Sequence, residues 1–383
     1  MTDPWVYDRN ELTQKKATKK GLLKLLQAAL KLELTTVPLY LTGMYTIKPG
    51  TNREAFLTMR SVVMEEMLHM ALVSNLINAL GGQPVLDDPR YLPSYPGQMP
   101  YGYFDPAKSD GNIALLGYSS AALQLFVNIE SPPWDKPALD NKGWRTIGQF
   151  YGLISNWLEE LQEKDEELFN GNPSRQLTPE HFYNSGGEVV EVHDYKSACT
   201  AIEVVVEEGE GLDGSFFTSD DKLFNEERQE AHYFRFMEIL YEHRYGPYDK
   251  VRDIPSGASM DIDWKSAYRI DGTKPVDREQ LSHEAVARLD TFDLTYTKLL
   301  LQIHKAVNGA PDSMKNAIPT MLDLRYQAEE IFRIPRQDAW DTNGRPLSLH
   351  PSFTVTTDLI KQVRDSDTKL GVVDSEIVAP VKH

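Results

Sequence analysis

The sequence predicts an all-α protein: a four-helix bundle built from two hairpins, with a long crossover between them and additional helices at the C-terminal end. Three observations carry this. Apolar residues recur at three- and four-residue spacing over segments too long for strands, the first two such segments are joined by a very short connection, and strand signals are few.

The first periodic segment runs from about Lys19 to Tyr45 and the second from about Arg53 to Leu80, where Gly81-Gly82 stops it. Lys48-Pro49-Gly50-Thr51-Asn52 joins them, so they are antiparallel neighbours. From residue 82 to 112, six prolines (Pro84, Pro89, Pro93, Pro96, Pro100, Pro106) interleave with Tyr91, Tyr95, Tyr101 and Tyr103, which rules out a long helix and marks the crossover. Shorter helices follow at about Ser119 to Glu130 and Thr146 to Lys164, with Ser131-Pro132-Pro133 as a stop between them. A third strong helix covers about Tyr195 to Glu210, and Gly209, Gly211 and Gly214 turn the chain into a fourth, about Asp220 to Arg244. Two hairpins separated by crossover material is the plan of a ferritin-like bundle. Further helices are expected around Arg288 to Val307 and Met314 to Phe332, and residues 336–383 read as loop and tail. The expected division is 1–245 for the bundle and 246–383 for a helical extension packed on it.

Composition excludes several classes. Apolar residues make up 41% of the 383 and charged residues 25%, which is ordinary globular usage. The net charge of −17 argues against a nucleic-acid partner, and the one dense basic run, Lys15, Lys16, Lys19, Lys20 and Lys24, reads as a solvated helix start. Cys199 is the only cysteine, so no internal disulfide forms. No apolar stretch reaches the roughly 20 residues needed to span a bilayer, and Met1-Thr2-Asp3-Pro4-Trp5 carries no export signature, so the expected location is cytoplasmic. Neither a G-x-S-x-G elbow nor a phosphate loop occurs.

The informative residues are carboxylates standing where leucines belong. Leu26, Ala29, Leu30, Val37 and Tyr40 lie three, four or seven positions from Glu33, which places that glutamate within the apolar stripe of the first helix. On the second helix, Glu66 and His69 interrupt a stripe of Met59, Val62, Val63, Met70, Val73 and Leu76. Their E-x-x-H spacing turns a carboxylate and an imidazole to one face. Glu33 and Glu66 each lie about 16 residues from the loop midpoint, hence at one height on adjacent antiparallel helices. An unpaired buried charge is strongly unfavourable, so Glu33 is protonated, ion-paired or bound to a cation, and the convergence of three potential ligands favours the cation. The second hairpin offers Glu203, Glu207 and Glu210 at spacings of four and three, and His232, which shares a stripe with Phe236 and Ile239. Three before His232 stands Gln229 rather than a glutamate, so the second E-x-x-H is absent and the site is expected to be asymmetric.

Leu32-Glu33-Leu34-Thr35-Thr36-Val37-Pro38-Leu39-Tyr40-Leu41, Met64-Glu65-Glu66-Met67-Leu68-His69-Met70 and Asn78-Ala79-Leu80-Gly81-Gly82-Gln83-Pro84 resemble the ferritin-like domain of the iminophenyl-pyruvate dimer synthase family, which includes the imine-coupling enzyme of violacein assembly. The likeness continues through Phe126-Val127-Asn128-Ile129-Glu130-Ser131-Pro132, Val206-Glu207-Glu208-Gly209-Glu210-Gly211 and Ala231-His232-Tyr233-Phe234-Arg235-Phe236, covering roughly residues 18–245. It implies a non-haem metal site with Glu33, Glu66, His69 and His232, and points to the Glu207 and Glu210 region of the third helix, while hairpin geometry favours Glu203. The ranking is Glu207 before Glu203, with Glu210 and Glu130 as supporting groups and Glu208 a departure where glutamine is usual.

The expected cofactor is therefore a pair of iron ions (Fe2+/Fe3+) or manganese. The expected function is a di-metal oxidase or oxygenase acting on a small, amino-acid-derived or aromatic substrate of secondary metabolism. The alternatives are catalase-like disproportionation of peroxide at two manganese ions, or a non-enzymatic metal-bearing bundle. Expected partners are the small-molecule substrate and dioxygen or peroxide, with no nucleic acid and no membrane; a homo-oligomer is left open.

Overall fold

Helix α1 spans Lys19–Tyr45 and α2 spans Arg53–Ala79 in the computed structural model, which describes residues 16–99, 112–132, 144, 146–182, 187–211, 215–217 and 230–369. Thr18 starts α1 by accepting a hydrogen bond from the Gly21 N–H, which satisfies one of the free amides of the first turn. Gly81, at φ +74°, ends α2 in the left-handed region, as expected of the residue after a helix. Leu22, Leu26, Leu30, Leu32 and Leu39 are fully buried, and the side chains buried along α1 go nearly all round it, so it is the central helix of the bundle. Each such leucine stabilises the fold by about 1.5–3 kcal/mol relative to exposure.

Helices α3 (Ser120–Ile129) and α4 (Ile147–Gln162) are capped by Ser119 and Thr146. Helix α5 (Tyr195–Glu210) is opened by a reciprocal Asp194–Ser197 cap, and α6 spans His232–Tyr241. Helix α1 packs along α2, α5 against α2 and α4, and α6 against α3, α5 and α2, so α3 and α4 close the sides of the bundle. Strands β1 (Gly97–Gln98) and β2 (Asn112–Ile113) pair antiparallel across the crossover, and the Tyr95 hydroxyl donates to the Thr35 carbonyl at 2.7 Å, docking the crossover on α1. Tyr101 and Tyr103 lie outside the described residues.

Helices α7 (His283–Val307) and α8 (Met314–Phe332) pack on each other, and reach the bundle through α7 on α2 and α8 on α1.

Two expectations need correction. The fourth bundle helix was placed from about Asp220, but the helix that holds His232 begins at that residue, with Ala231 extended and Glu230 bridged to Phe217. Residues 218–229, Gln229 among them, lie outside the described residues. The E-x-x-H comparison for His232 presumed a helix running back three residues, and it does not apply. The stretch after residue 335 is also more than loop and tail: β3 (Pro335–Trp340) pairs with β4 (Pro346–Ser348), and α9 (Thr357–Lys369) packs on α7. Polar composition hid these elements, since α9 buries only Ile360 and Val363 among its apolar side chains.

Candidate metal centre

Glu33 on α1 and Glu66 and His69 on α2 do meet inside the bundle, all three almost wholly buried. Glu33 Oε2 lies 3.4 Å from His69 Nδ1, while its Oε1 accepts the Tyr151 hydroxyl of α4 at 2.5 Å. Glu66 Oε2 accepts the Thr36 hydroxyl at 2.6 Å, and its Oε1 lies 3.0 Å from His232 Nδ1. The third carboxylate of this kind is Glu130, at the C-terminal end of α3. Its Oε1 accepts the Tyr40 hydroxyl, and its Oε2 stands 3.8 Å from His232 Nδ1. One construction thus repeats three times: a buried hydroxyl anchors one carboxylate oxygen and leaves the other facing an imidazole.

The imidazoles are held from behind in a matching way. His69 Nε2 lies 2.7 Å from Glu208 Oε2 of α5, and His232 Nε2 lies 2.7 Å from Glu65 Oε2 of α2. Glu65 is gripped in turn by Arg235, whose two terminal nitrogens reach its oxygens at 3.0 and 2.7 Å. A carboxylate on the outer nitrogen fixes ring orientation and raises the basicity of the inner one, which is how metal-binding histidines are commonly supported. The rings stack with centroids 5.5 Å apart.

Ligand-capable atoms of Glu33, Glu66 and His69 lie within 4.8 Å of one another, and so do those of Glu66, Glu130 and His232. Glu66 belongs to both sets. Glu208 makes a third set with the two imidazoles. Gly187, at φ +100°, leaves room for this glutamate, since a Cβ there would come within 2.9 Å of Glu208 Oε1.

The remaining residues read from the sequence fall elsewhere. Glu203 is exposed, and Glu207 is half-buried and belongs to none of the three sets. Glu210 is buried but accepts the Gly148 N–H at 2.9 Å, at the start of α4. The inward stripe of α5 runs Ala198, Ala201, Val205, Glu208, so the neighbour of Glu207, turned by about 100°, is the one that faces His69. Glu208, rather than Glu207 or Glu203, is thus the α5 carboxylate beside His69, and Glu130 is the α3 carboxylate that faces His232. Sequence reasoning also missed Tyr40, Tyr151, Thr36 and the Glu65–Arg235 pair. The spacing of His232 and Arg235, three apart on α6, was the available signal for that pair.

Electrostatics shows the strain of this assembly without a cation. Burial, with the like charge of Glu130, outweighs the neighbouring imidazoles and pushes the Glu66 carboxyl up to about 7. Burial opposes charge on His69, but hydrogen bonds to Glu208 and Glu33 more than offset it and push the ring up to about 10. His232 moves the same way: burial opposes its charge, and Glu130, Glu65 and Glu66 prevail. In this state the protons on the rings do the work of counter-ions.

The donor set fits divalent metal. Glu33, Glu65, Glu66, Glu130 and Glu208 are buried together with Arg235 as the permanent cation, so with neutral imidazoles four negative charges are left over, which a pair of divalent cations would cancel. Mixed carboxylate and imidazole donors suit iron or manganese. If the hydroxyl anchors matter, Tyr151→Phe should weaken binding of the cation on the Glu33 side by about 10–100-fold, the usual consequence of losing an outer hydrogen bond. Equilibrium titration of manganese would check this, and unchanged affinity would contradict the anchoring role.

A family model described as Ferritin-like matches residues 26–241. The chain is similar to the dichlorochromopyrrolate synthase of Lentzea aerocolonigenes, with 24% identity over 79% of this chain, and it spans 30% of that relative's length. Among solved structures it is similar to a ferritin-like protein from Caulobacter vibrioides, with a TM-score of 0.58 and 21% identity, covering 87% of this chain and 97% of that one. The latter likeness bears on the fold.

Proposed function

Because this chain belongs to the ferritin-like family, we propose that its buried carboxylate–imidazole cluster holds two iron or manganese ions and serves the oxidation of a small aromatic substrate. The observation that carries the metal reading is the crowding of buried carboxylates around Glu66, where Arg235 is the permanent cation and the remaining positive charge comes only from protons that His69 and His232 would give up to bind metal. Glu33, Glu66 and His69 would hold one ion, and Glu66, Glu130 and His232 the other, with Glu208 and Glu65 orienting the rings. Bound iron or manganese supplies redox capacity toward dioxygen or peroxide. The chain's own part is to keep the site dry, to fix each carboxylate by a hydroxyl, and to exchange the protons on His69 and His232 for cations.

The substrate class rests on two supports: the resemblance to the imine-coupling family, and a relative named for making dichlorochromopyrrolate. No helix among the described residues is long and apolar enough to cross a membrane, which fits a substrate met in water. The test is oxygen uptake by the iron- or manganese-loaded chain in the presence of aromatic amino acids and their imines. Uptake that depends on the organic compound supports the proposal. Dioxygen release from peroxide, with no uptake on any organic addition, would overturn it in favour of disproportionation.

Proton exchange makes a separate prediction. A ring must lose a proton from the nitrogen that takes the metal, and His69 sits near 10 while Glu66 sits near 7, so loading at pH 7 should release protons. Affinity should then rise with pH across the window from about 7 to about 10. Calorimetry in two buffers of different ionisation enthalpy should give different heats; identical heats would contradict the protonated resting state.

A further inference from the structure

We propose that the chain carries a second small-molecule site, a methionine-walled cavity on the flank of α2 away from the metal cluster, suited to an aromatic ligand bearing one hydrogen-bond acceptor. The cavity lies at the seam where α7, α8 and the one-turn helix at 179–181 meet α2, and encloses about 60 Å³ below a partly open mouth. Met64, Met67 and Met70 of α2 and Met314 and Met321 of α8 line it. On α2 the mean direction of these three positions lies roughly 130° from the face that carries Glu66 and His69, at about 100° per residue.

Two features separate this from a packing defect. Five of the chain's eleven methionines stand around this one space. Methionine is the side chain best able to fill an irregular gap, so a seam that only needed filling would have closed; here the thioethers line a void instead. Thioethers also make favourable contacts with aromatic rings and adjust to different shapes. The enclosed volume is below the roughly 150 Å³ that holds benzene in a rigid apolar cavity, so a ring enters by displacing thioethers toward the mouth.

The second feature is the polarity of the wall. Its one ionisable residue is His181. The Thr178 N–H points to His181 Nδ1 at 3.2 Å, so Nδ1 is the acceptor and the ring hydrogen sits on Nε2. His181 is thus the one side chain of an otherwise apolar wall that carries an N–H donor, and this favours a ligand with one acceptor, such as a carbonyl.

Fluorine NMR of the full chain with 4-fluoroacetophenone tests this, with fluorobenzene as the ligand lacking the acceptor. Saturable binding is expected, about tenfold tighter for the ketone, and equal in chelator-stripped and manganese-loaded protein, since the site does not rest on a bound cation. Ala71→Leu and Met321→Trp, which fill the cavity from opposite walls, should each abolish binding while keeping the wild-type circular dichroism. His181→Phe should remove the preference for the ketone. Absence of saturable binding in wild type, or binding undiminished in both filling variants, would overturn the site. Equal binding of both probes in wild type would overturn the donor role of His181. Loss of binding on metal removal would overturn its independence from the metal cluster.

Discussion

Glu66→Ala is expected to reduce cation binding from two per chain to none, whereas Glu33→Ala and Glu130→Ala should each leave one. The difference follows from Glu66 belonging to both ligand sets, while Glu33 faces only His69 and Glu130 only His232. The variant should also keep its fold without metal. The Thr36 hydroxyl loses its carboxylate but retains the Glu33 carbonyl at 2.7 Å, and the carboxyl removed is one that burial already pushes toward its neutral form. Glu66→Gln keeps the side-chain volume and separates ligand loss from cavity formation. Elemental analysis after manganese loading and desalting reads the stoichiometry; one ion retained in Glu66→Ala would show that the residue is not shared.

Arg235→Leu should be the most destabilising single change near the cluster, costing about 3–5 kcal/mol, because it removes the permanent cation from the buried Glu65 and leaves only the His232 ring against its charge. Burial opposes the charge on Glu65, and Arg235 together with His232 more than offsets this, holding the carboxyl below its ordinary value of 4.5. The sign follows. A depressed carboxyl contributes stability that is present above the unfolded value and is lost as pH falls through the native one. Wild type should therefore lose this contribution only below about pH 4.5, and Arg235→Leu should lack it at neutral pH already. The double variant Glu65→Leu/Arg235→Leu should recover much of the loss, since an apolar pair of similar size often matches a buried ion pair. Denaturant melts of the metal-free proteins decide this; a single variant as stable as wild type would show that Glu65 is not charged in the native state.

Much of the first half of the site was legible in the sequence because the first hairpin is regular. A seven-residue connection and two uninterrupted helices turn residue counting into height, so Glu33 and Glu66 could be placed level from numbers alone. The second half resisted for physical reasons. Its histidine opens a short helix rather than sitting within a long one, so periodicity carried no information across residues 230–231. Its carboxylate, Glu130, comes from the end of a side helix that no hairpin count relates to His232. On α5, four glutamates between 203 and 210 crowd a helix whose true stripe is set by small residues, Ala198 and Ala201, which hydrophobicity alone weights lightly. Glu208, the departure from the family pattern, is the one that reaches His69. The hydroxyl anchors were invisible because each joins residues distant in sequence, 118 apart for Tyr151 and Glu33.

Glu66 is proposed to join two cation positions inside the bundle. Crystals grown with manganese, and an anomalous difference map recorded from them, test it most directly. Two peaks are expected, one contacted by Glu33, Glu66 and His69, the other by Glu66, Glu130 and His232. A map without peaks at these residues, with His69 and His232 still paired to carboxylates at both nitrogens, would contradict it.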